Sequence, residues 1–172
     1  QTRVGIEVYR PELDQADSTR LGLLADLRDA VAGDFLDVYY QPKVDLRSGQ
    51  VIGVEALVRW DHPELGRVGP DEFIPLAEHS GAVRALTRFV LDQALAENAR
   101  WRREGLDLGI AVNLSAVDLG DAALVEMVED ALQRHRVPAR RLILEVTESA
   151  LMRDVDEAVR VLRRLHGIGV GL

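Results

Sequence analysis

The sequence predicts an α/β fold built around a parallel sheet, arranged either as a doubly wound sheet or as a barrel. Strand-like and helix-like segments alternate with short links from about residue 108 onward, an order typical of parallel sheets. The composition, 47% hydrophobic and 29% charged, lies in the ordinary range of globular domains. A chain of 172 residues can also bury one sizeable core without covalent cross-links.

Composition excludes several function classes. The chain contains no cysteine, which excludes disulfide scaffolds, thiolate metal sites and cysteine nucleophiles. Its formal charge of −8 disfavours binding to a DNA or RNA polymer or to an anionic membrane surface. No apolar run approaches the roughly 18 residues of a membrane span, and residues 1–5 contain no hydrophobic signal region. We therefore expect a cytoplasmic protein, or the cytoplasmic part of a membrane-anchored one.

The first third of the chain predicts a helix followed by an antiparallel pair of strands. Residues 1–10 alternate loosely and suit a short strand. Apolar residues at helical spacing predict a helix over 18–32, which stops at Gly33. Two extended runs, 35–44 and 50–60, flank a Ser-Gly turn and therefore predict a hairpin-like pair.

Helices and strands alternate through the rest of the chain. In chain order these segments are a loop over 61–70, a short helix opening at Asp71, a helix over 83–103 ended by Gly105, a strand over 108–113, a helix over 121–134, a strand over 141–146, a helix over 155–166 with Asp154 and Glu157 as a capping box, and a new strand beginning at Ile168. Because parallel strands share one direction, their C-terminal ends meet at the same edge of the sheet.

Three oxygen-bearing side chains lie near the C-terminal ends of predicted strands: Glu55, Asn113 and Glu145. The side-chain period of two along a strand places Glu55 on the same face as Leu57 and Arg59. In a barrel, catalytic side chains converge at this end of the strands. A set of oxygen ligands without histidine or thiol suits a hard cation such as Mg²⁺ or Mn²⁺.

Neighbouring positions on the same faces are small or polar. The asparagine shares its face with Gly109 and Ala111, which leave room for a ligand. On the first strand of the hairpin, Gln41 shares its face with Tyr39 and Lys43.

Each of the acidic candidates also has a less specific interpretation. Glu55 and Arg59, opposite in charge and four residues apart, are compatible with an ion pair on a solvated sheet face. Glu145 and Glu148 are compatible with carboxylates at the start of a helix, where the helix dipole favours them.

The remaining polar and aromatic residues favour structural roles. Residues 113–115 match an N-glycosylation sequence, but asparagine and serine at a strand end are commonly turn formers. The histidines lack the spacing of a zinc helix, and we interpret them, together with both tryptophans, as surface or packing residues. These residues are His62, His79, His135, His166, Trp60 and Trp101.

Five short motifs stand out when the chain is read as a whole. They are Tyr40-Gln41-Pro42-Lys43, Glu55-Ala56-Leu57-Val58-Arg59-Trp60, Pro70-Asp71-Glu72-Phe73-Ile74-Pro75-Leu76-Ala77-Glu78, Val112-Asn113-Leu114-Ser115 and Leu144-Glu145-Val146-Thr147-Glu148-Ser149. Together they resemble the successive motifs of the EAL domain, a family of cyclic-di-GMP phosphodiesterases. A lone Glu-Ala-Leu is uninformative, whereas five motifs in the family's order are highly specific.

The resemblance implies a TIM (β/α)8 barrel whose first strand is antiparallel, and hydrolysis of cyclic di-GMP to linear pGpG by two Mg²⁺ or Mn²⁺ ions. It implies metal ligation by Glu55, Asn113 and Glu145. It also implies catalytic roles for Glu55, Glu145 and Glu148, the last as the residue that holds a loop bearing further ligands. The substrate contacts that it implies, with Arg59 on a phosphate, are Gln41, Leu57, Arg59, Phe73, Ile74 and Pro75.

The resemblance also implies how the chain is organised. We expect residues 1–16 to be the tail or linker of an upstream GGDEF-like cyclase domain, and 17–172 to be the N-terminal half or so of an EAL barrel. A complete barrel takes roughly 250 residues. The family's Asp-Asp-Phe-Gly motif and later lysine and glutamate would then follow Leu172, so we expect the 172-residue chain alone to be inactive.

Upstream sensory domains and a homodimer are further expectations from the family. The alternative function is a catalytically silent EAL domain that acts as a cyclic-di-GMP receptor or as a protein-interaction module. A barrel hydrolase of another divalent-metal family would require the five motifs to coincide by chance.

Overall fold

The computed structural model describes residues 22–31, 33, 35–147 and 155–172. The strand expected over 1–10, Glu148 and the capping residue Asp154 lie outside the described residues. None of the described helices is both long enough and apolar enough to cross a bilayer.

Helices and strands alternate along the described chain. In chain order they are helix α1 over 22–31, strands β1 (Leu36–Val44), β2 (Val51–His62) and β3 (Gly66–Val68), helices α2 (Pro70–Ser80) and α3 (Val83–Arg103), strand β4 (Gly109–Leu114), helices α4 (Ala116–Leu119) and α5 (Ala123–His135), a 3₁₀ turn (Ala139–Arg141), strand β5 (Leu142–Val146) and helix α6 (Val155–Gly167). The helix predicted over 83–103 is confirmed at both ends, and Gly105 follows it with a φ of 88°.

The sheet has the order β1-β2-β4-β5, with β3 paired to β2 away from this path. β1 is antiparallel to β2, whereas β2, β4 and β5 are parallel, so the predicted α/β class and the antiparallel first pair are confirmed. Gly171 forms a parallel bridge with Ile143 on the outer side of β5. The strands therefore follow one another without the reversal in order that marks a doubly wound sheet.

One face of this sheet carries the main hydrophobic core. The strand residues in this core all have even numbers, as Ala56, Val112 and Leu144 illustrate, and they pack against the buried sides of α3, α5 and α6. Leu91 on α3 and Leu165 on α6 are completely buried there. Because the described helices cover this face, the odd-numbered side chains of the strands remain on the other face, as in the wall of a barrel.

A second core cluster joins α1 and α2 to the far end of β2. Leu27 of α1, Trp60 of β2 and Phe73 of α2 are each completely buried. The Trp60 and Phe73 rings meet edge to face, with their centroids 5.7 Å apart. The packing role expected for Trp60 is thus confirmed.

The expected loop over 61–70 is wrong in part, because β2 continues to His62 and β3 turns back against it. His62 is buried, and its Nδ1 accepts hydrogen bonds from the backbone N–H groups of Glu64 and Leu65, each at 3.1 Å. These bonds shape a tight turn that ends at Gly66, whose φ is 71°. No alternation of apolar residues signals a strand as short as β3.

Candidate functional site

The candidate site lies on the sheet face opposite the main core. Glu55 in β2, Asn113 in β4 and Glu145 in β5 all have odd numbers and share this face. In the parallel register Asn113 lies beside Glu145, and Glu55 lies beside Ala111. Three strands therefore bring the predicted metal ligands to one place.

Glu55 and Asn113 are in direct contact. The Asn113 amide nitrogen donates a hydrogen bond to Oε1 of Glu55 over 2.8 Å. Because Asn113 is two residues beyond the strand partner of Glu55, the two side chains are diagonal neighbours. The sequence-based expectation that they converge is met by this contact.

Glu145 forms an ion pair with Lys43, through Oε1 and Nζ. The two residues lie on β1 and β5, the first and last strands of the sheet path, so the lysine side chain reaches across β2 and β4. Each side chain retains 35% of its exposure, so the pair is open to exchange with solvent ions. Since Glu145 lies within β5, its interpretation as a helix-start carboxylate is wrong.

Arg59 does not pair with Glu55, and the interpretation of these two residues as a surface ion pair is wrong. Four residues along a strand separate them by about 13 Å. Arg59 instead donates to the carbonyl of Val58 over 2.9 Å, and its Cζ lies 5.9 Å from the centroid of the Tyr39 ring.

Arg67 contacts the same tyrosine, and the sequence analysis did not predict this contact. It lies in β3, where it contacts Asp61 at 3.0 Å, donates to the Tyr39 hydroxyl at 3.1 Å and places its Cζ 5.5 Å from the Tyr39 ring centroid. Tyr39 therefore contacts guanidinium groups from both β2 and β3. The position of Arg67 depends on the pairing of β3 with β2, which the sequence did not predict.

The other predicted substrate contacts fall into two groups. Gln41 is exposed and pairs in register with Glu55, and Leu57 is half-buried opposite Tyr39. In α2, Ile74 and Pro75 are half-buried, whereas the Phe73 side chain is completely enclosed in the second core cluster. A contact between Phe73 and a ligand would therefore involve its backbone.

The donor set fits a hard divalent cation. Two carboxylates and one amide oxygen are ligands that Mg²⁺ accepts, with water or substrate oxygens completing the coordination. Within the described residues no three His, Cys, Asp or Glu side chains cluster as a metal site. For Asn113 to serve as a ligand, its amide oxygen would face the ion, whereas its amide nitrogen contacts Glu55 in this structure.

A capping box fixes the strand end that carries Asn113. The Ser115 hydroxyl caps α4 by accepting from the N–H groups of Val117 and Asp118, and the Asp118 carboxylate accepts from the Ser115 N–H. Ser115 therefore forms a turn at the strand end, which is the role that the sequence analysis favoured over a glycosylation sequence. The helix α4 itself was missed, because four residues are too few to show helical periodicity.

The Asp118 carboxylate is buried, and burial raises its pKa although hydrogen bonds from Thr87 and Ser115 act in the opposite direction. The Thr87 hydroxyl donates to it over 2.8 Å. Because the pKa of this carboxyl is higher in the folded state than in the unfolded state, the folded state is protonated first as the pH falls. The cost of burying its charge is therefore present at neutral pH and is relieved as pH falls toward its unfolded pKa of about 3.9.

Thr87→Val should lower the free energy of unfolding by about 1–3 kcal/mol at pH 7, because the buried carboxylate loses a donor. The loss should shrink as pH falls toward 4.5, where Asp118 is more readily protonated. Urea unfolding at both pH values tests this, with Thr87→Ser as the control that keeps the hydroxyl. A loss independent of pH would contradict the role of the hydroxyl.

Comparison with known proteins identifies one family. The model of the EAL domain matches residues 24–172. Across its whole length the chain is 43% identical to MucR of Pseudomonas aeruginosa, a bifunctional diguanylate cyclase/cyclic di-GMP phosphodiesterase. Over 98% of its length it is 40% identical to the cyclic di-GMP phosphodiesterase PA2567 of the same organism. The chain spans only 25% and 29% of the lengths of these relatives.

The fold also has a close counterpart among solved structures. The structure of the PaMucR phosphodiesterase in complex with c-di-GMP superposes with a TM-score of 0.82 and 46% sequence identity. The match covers 87% of this chain and 61% of that one. The sheet and the helices behind it are therefore arranged as in a cyclic-dinucleotide phosphodiesterase.

Proposed function

Because this chain belongs to the EAL domain family, we propose that the full-length protein hydrolyses one phosphodiester bond of cyclic di-GMP and releases linear pGpG. The convergence of Glu55, Asn113 and Glu145 on one open sheet face carries this proposal. The names of relatives 40% and 43% identical to the chain support the substrate.

Glu55, Asn113 and Glu145 are the residues of this chain that would hold Mg²⁺ or Mn²⁺. When bound, such ions supply Lewis acidity toward the phosphate and activate the attacking water. The protein contributes the orientation of the ligands, because each lies on a strand rather than on a loop. A second ion and the role of Glu148 in holding a further ligand loop are part of the proposal.

The basic face beside these ligands suits a phosphate. Arg59 is held by the Val58 carbonyl and by the Tyr39 ring, so its guanidinium is oriented before a ligand arrives. A guanidinium offers a phosphate two parallel donors. Local cations of this kind offset the formal charge of −8, which would otherwise repel a dianionic dinucleotide. Gln41, Leu57 and the backbone of 73–75 are proposed to complete the nucleotide site.

The function is tested by incubating the purified full-length protein with cyclic di-GMP and Mg²⁺ or Mn²⁺, and by separating the products chromatographically. Accumulation of pGpG is the expected result. Tight binding of cyclic di-GMP without cleavage would instead indicate the receptor alternative. Failure of both binding and cleavage would overturn the proposal.

Arg59→Ala should weaken the affinity for cyclic di-GMP by about 10- to 100-fold, the value of a charge-assisted hydrogen-bonded contact. Metal affinity should stay nearly unchanged, because a guanidinium does not ligate a cation. Calorimetric titration, first with Mn²⁺ and then with the dinucleotide, separates the two effects. Arg103→Ala, at the exposed end of α3, is the matched control. An equal loss of metal binding in Arg59→Ala would show that its role is misassigned.

The organisation of the larger protein forms a further part of the proposal. Residues 1–16 are proposed to link an upstream GGDEF-like domain to the EAL domain that begins near residue 17. The bifunctional name of the MucR relative supports such a neighbour. We also propose a cytoplasmic location, further sensory domains and a homodimer, each of which can be tested with the full-length protein.

A further inference from the structure

Lys43 is the only lysine in the chain, which has 21 basic residues, the other twenty being arginines. Its ammonium contacts Oε1 of Glu145, a carboxylate assigned above to the metal. We propose that Lys43 is the counter-cation of the metal-free site, which pairs with Glu145 until a divalent ion displaces it and thereby sets the metal affinity. This inference rests on the proposed function, because it requires Glu145 to be a ligand.

The sheet is built so that this side chain can cross it. Lys43 is paired in register with Gly53 of β2, and Gly53 is paired with Gly109 of β4. All three have odd numbers and lie on the site face, so the two positions in register beside Lys43 carry no side chain that could block the lysine stem. A Cβ at Gly53 would lie 3.0 Å from the Gly109 carbonyl oxygen, so this position has little space for a larger residue. In the register Glu145 lies beside Asn113 and not in the row of these glycines, so the ion pair crosses the site face diagonally.

The contact stands in direct competition with a metal ion. An ammonium and a divalent cation seek the same carboxylate oxygens, and they repel each other at short distance. The other candidate carboxylate, Glu55, is likewise satisfied internally, by the Asn113 amide. Without a metal ion, both candidate carboxylates therefore have internal partners. Of these two partners, only Lys43 is positively charged.

The residue type suits this role. A lysine ammonium is a compact point charge on a flexible stem, whereas an arginine guanidinium forms a rigid fork that binds a carboxylate through two bonds. Both partners are about one-third exposed, so the ammonium can move to solvent without leaving a buried charge. Exchange of ammonium for metal is therefore achievable by rotation of the lysine side chain alone.

The first test is the Mn²⁺ affinity of Lys43→Met, measured by calorimetry on the full-length protein without nucleotide. Loss of the competing contact should tighten Mn²⁺ binding about tenfold. This factor corresponds to the low end of the free-energy contribution of hydrogen bonds to charged groups, because the ion pair is partly exposed. Lys43→Arg should not tighten it. Arg47→Met, exposed in the turn after β1, removes the same charge away from the site and should leave the affinity nearly unchanged.

A second measurement uses the unmodified protein and so does not depend on the folding of a variant. Acetylation of Lys43 by an amine-specific reagent is followed by mass spectrometry of its peptide, with and without Mn²⁺. Mn²⁺ should accelerate the acetylation, because the displaced amine faces solvent. Glu145→Gln, in which both the ammonium and the metal lose the carboxylate, should abolish the effect of Mn²⁺.

Weaker Mn²⁺ binding in Lys43→Met would show that the lysine positions Glu145 for the metal instead of competing with it. Equal changes in Lys43→Met and Arg47→Met, or acetylation unaffected by Mn²⁺, would also overturn the inference. In each of these cases Mn²⁺ binding and pGpG production by the unmodified protein still stand, so the proposed function survives. If the unmodified protein binds no Mn²⁺, the metal role of Glu145 and this inference fail together.

Discussion

Replacing Glu55 with alanine in the full-length protein should lower the rate of pGpG production by about a thousandfold or more. The substitution removes one of two carboxylates that converge on the site, together with the acceptor of the Asn113 amide. Metal assistance contributes several kcal/mol to catalysis, and each 1.36 kcal/mol corresponds to a factor of ten in rate. Product formation under saturating cyclic di-GMP and Mg²⁺ is the measurement.

A matched control separates the loss of a ligand from the loss of a negative charge. Glu129→Ala removes a carboxylate from the exposed side of α5 and should leave turnover unchanged. Binding of cyclic di-GMP to Glu55→Ala, measured in Ca²⁺, should persist, because Arg59 remains in place. Substantial turnover by Glu55→Ala would exclude Glu55 as a ligand.

Phe73→Ala should cause the largest loss of stability, about 3–5 kcal/mol in the free energy of unfolding. Phe73 is completely buried, and its ring packs edge to face on Trp60 beside the helices α1 and α2. Truncation would leave a cavity where α2 rests on the end of β2. Urea unfolding monitored by tryptophan fluorescence reports the change directly.

The same position tests whether a ligand touches the Phe73 side chain. Glu72→Ala, at the exposed neighbouring position on α2, should change stability by less than about 0.5 kcal/mol. Phe73→Leu keeps much of the packing and should retain the affinity for cyclic di-GMP. A stable Phe73→Leu protein with greatly weakened binding would show that the ring itself contacts the nucleotide.

Much of the fold follows from local pattern. The helix over 83–103 was predicted to the residue, because a long amphipathic segment ended by Gly105 carries a strong periodic signal. The antiparallel pair β1 and β2 follows from the Ser-Gly turn between two extended runs. The short elements β3 and α4 were not predicted, because segments of three or four residues are too short to show a periodic pattern. Their stability comes from the contacts of His62, Ser115 and Asp118.

The sequence by itself determined which side chains share a face within each strand, because the period of two along a strand is a local property. It placed Leu57 and Arg59 on the face of Glu55, and Asn113 and Glu145 near the ends of their strands. The prediction that Glu55 also lies near the C-terminal end of its strand is wrong, because β2 continues past it to His62, where β3 pairs with it. Only the tertiary structure decided the partners of these residues: Asn113 for Glu55, and Lys43 for Glu145. Such contacts depend on the order and register of strands far apart in the chain.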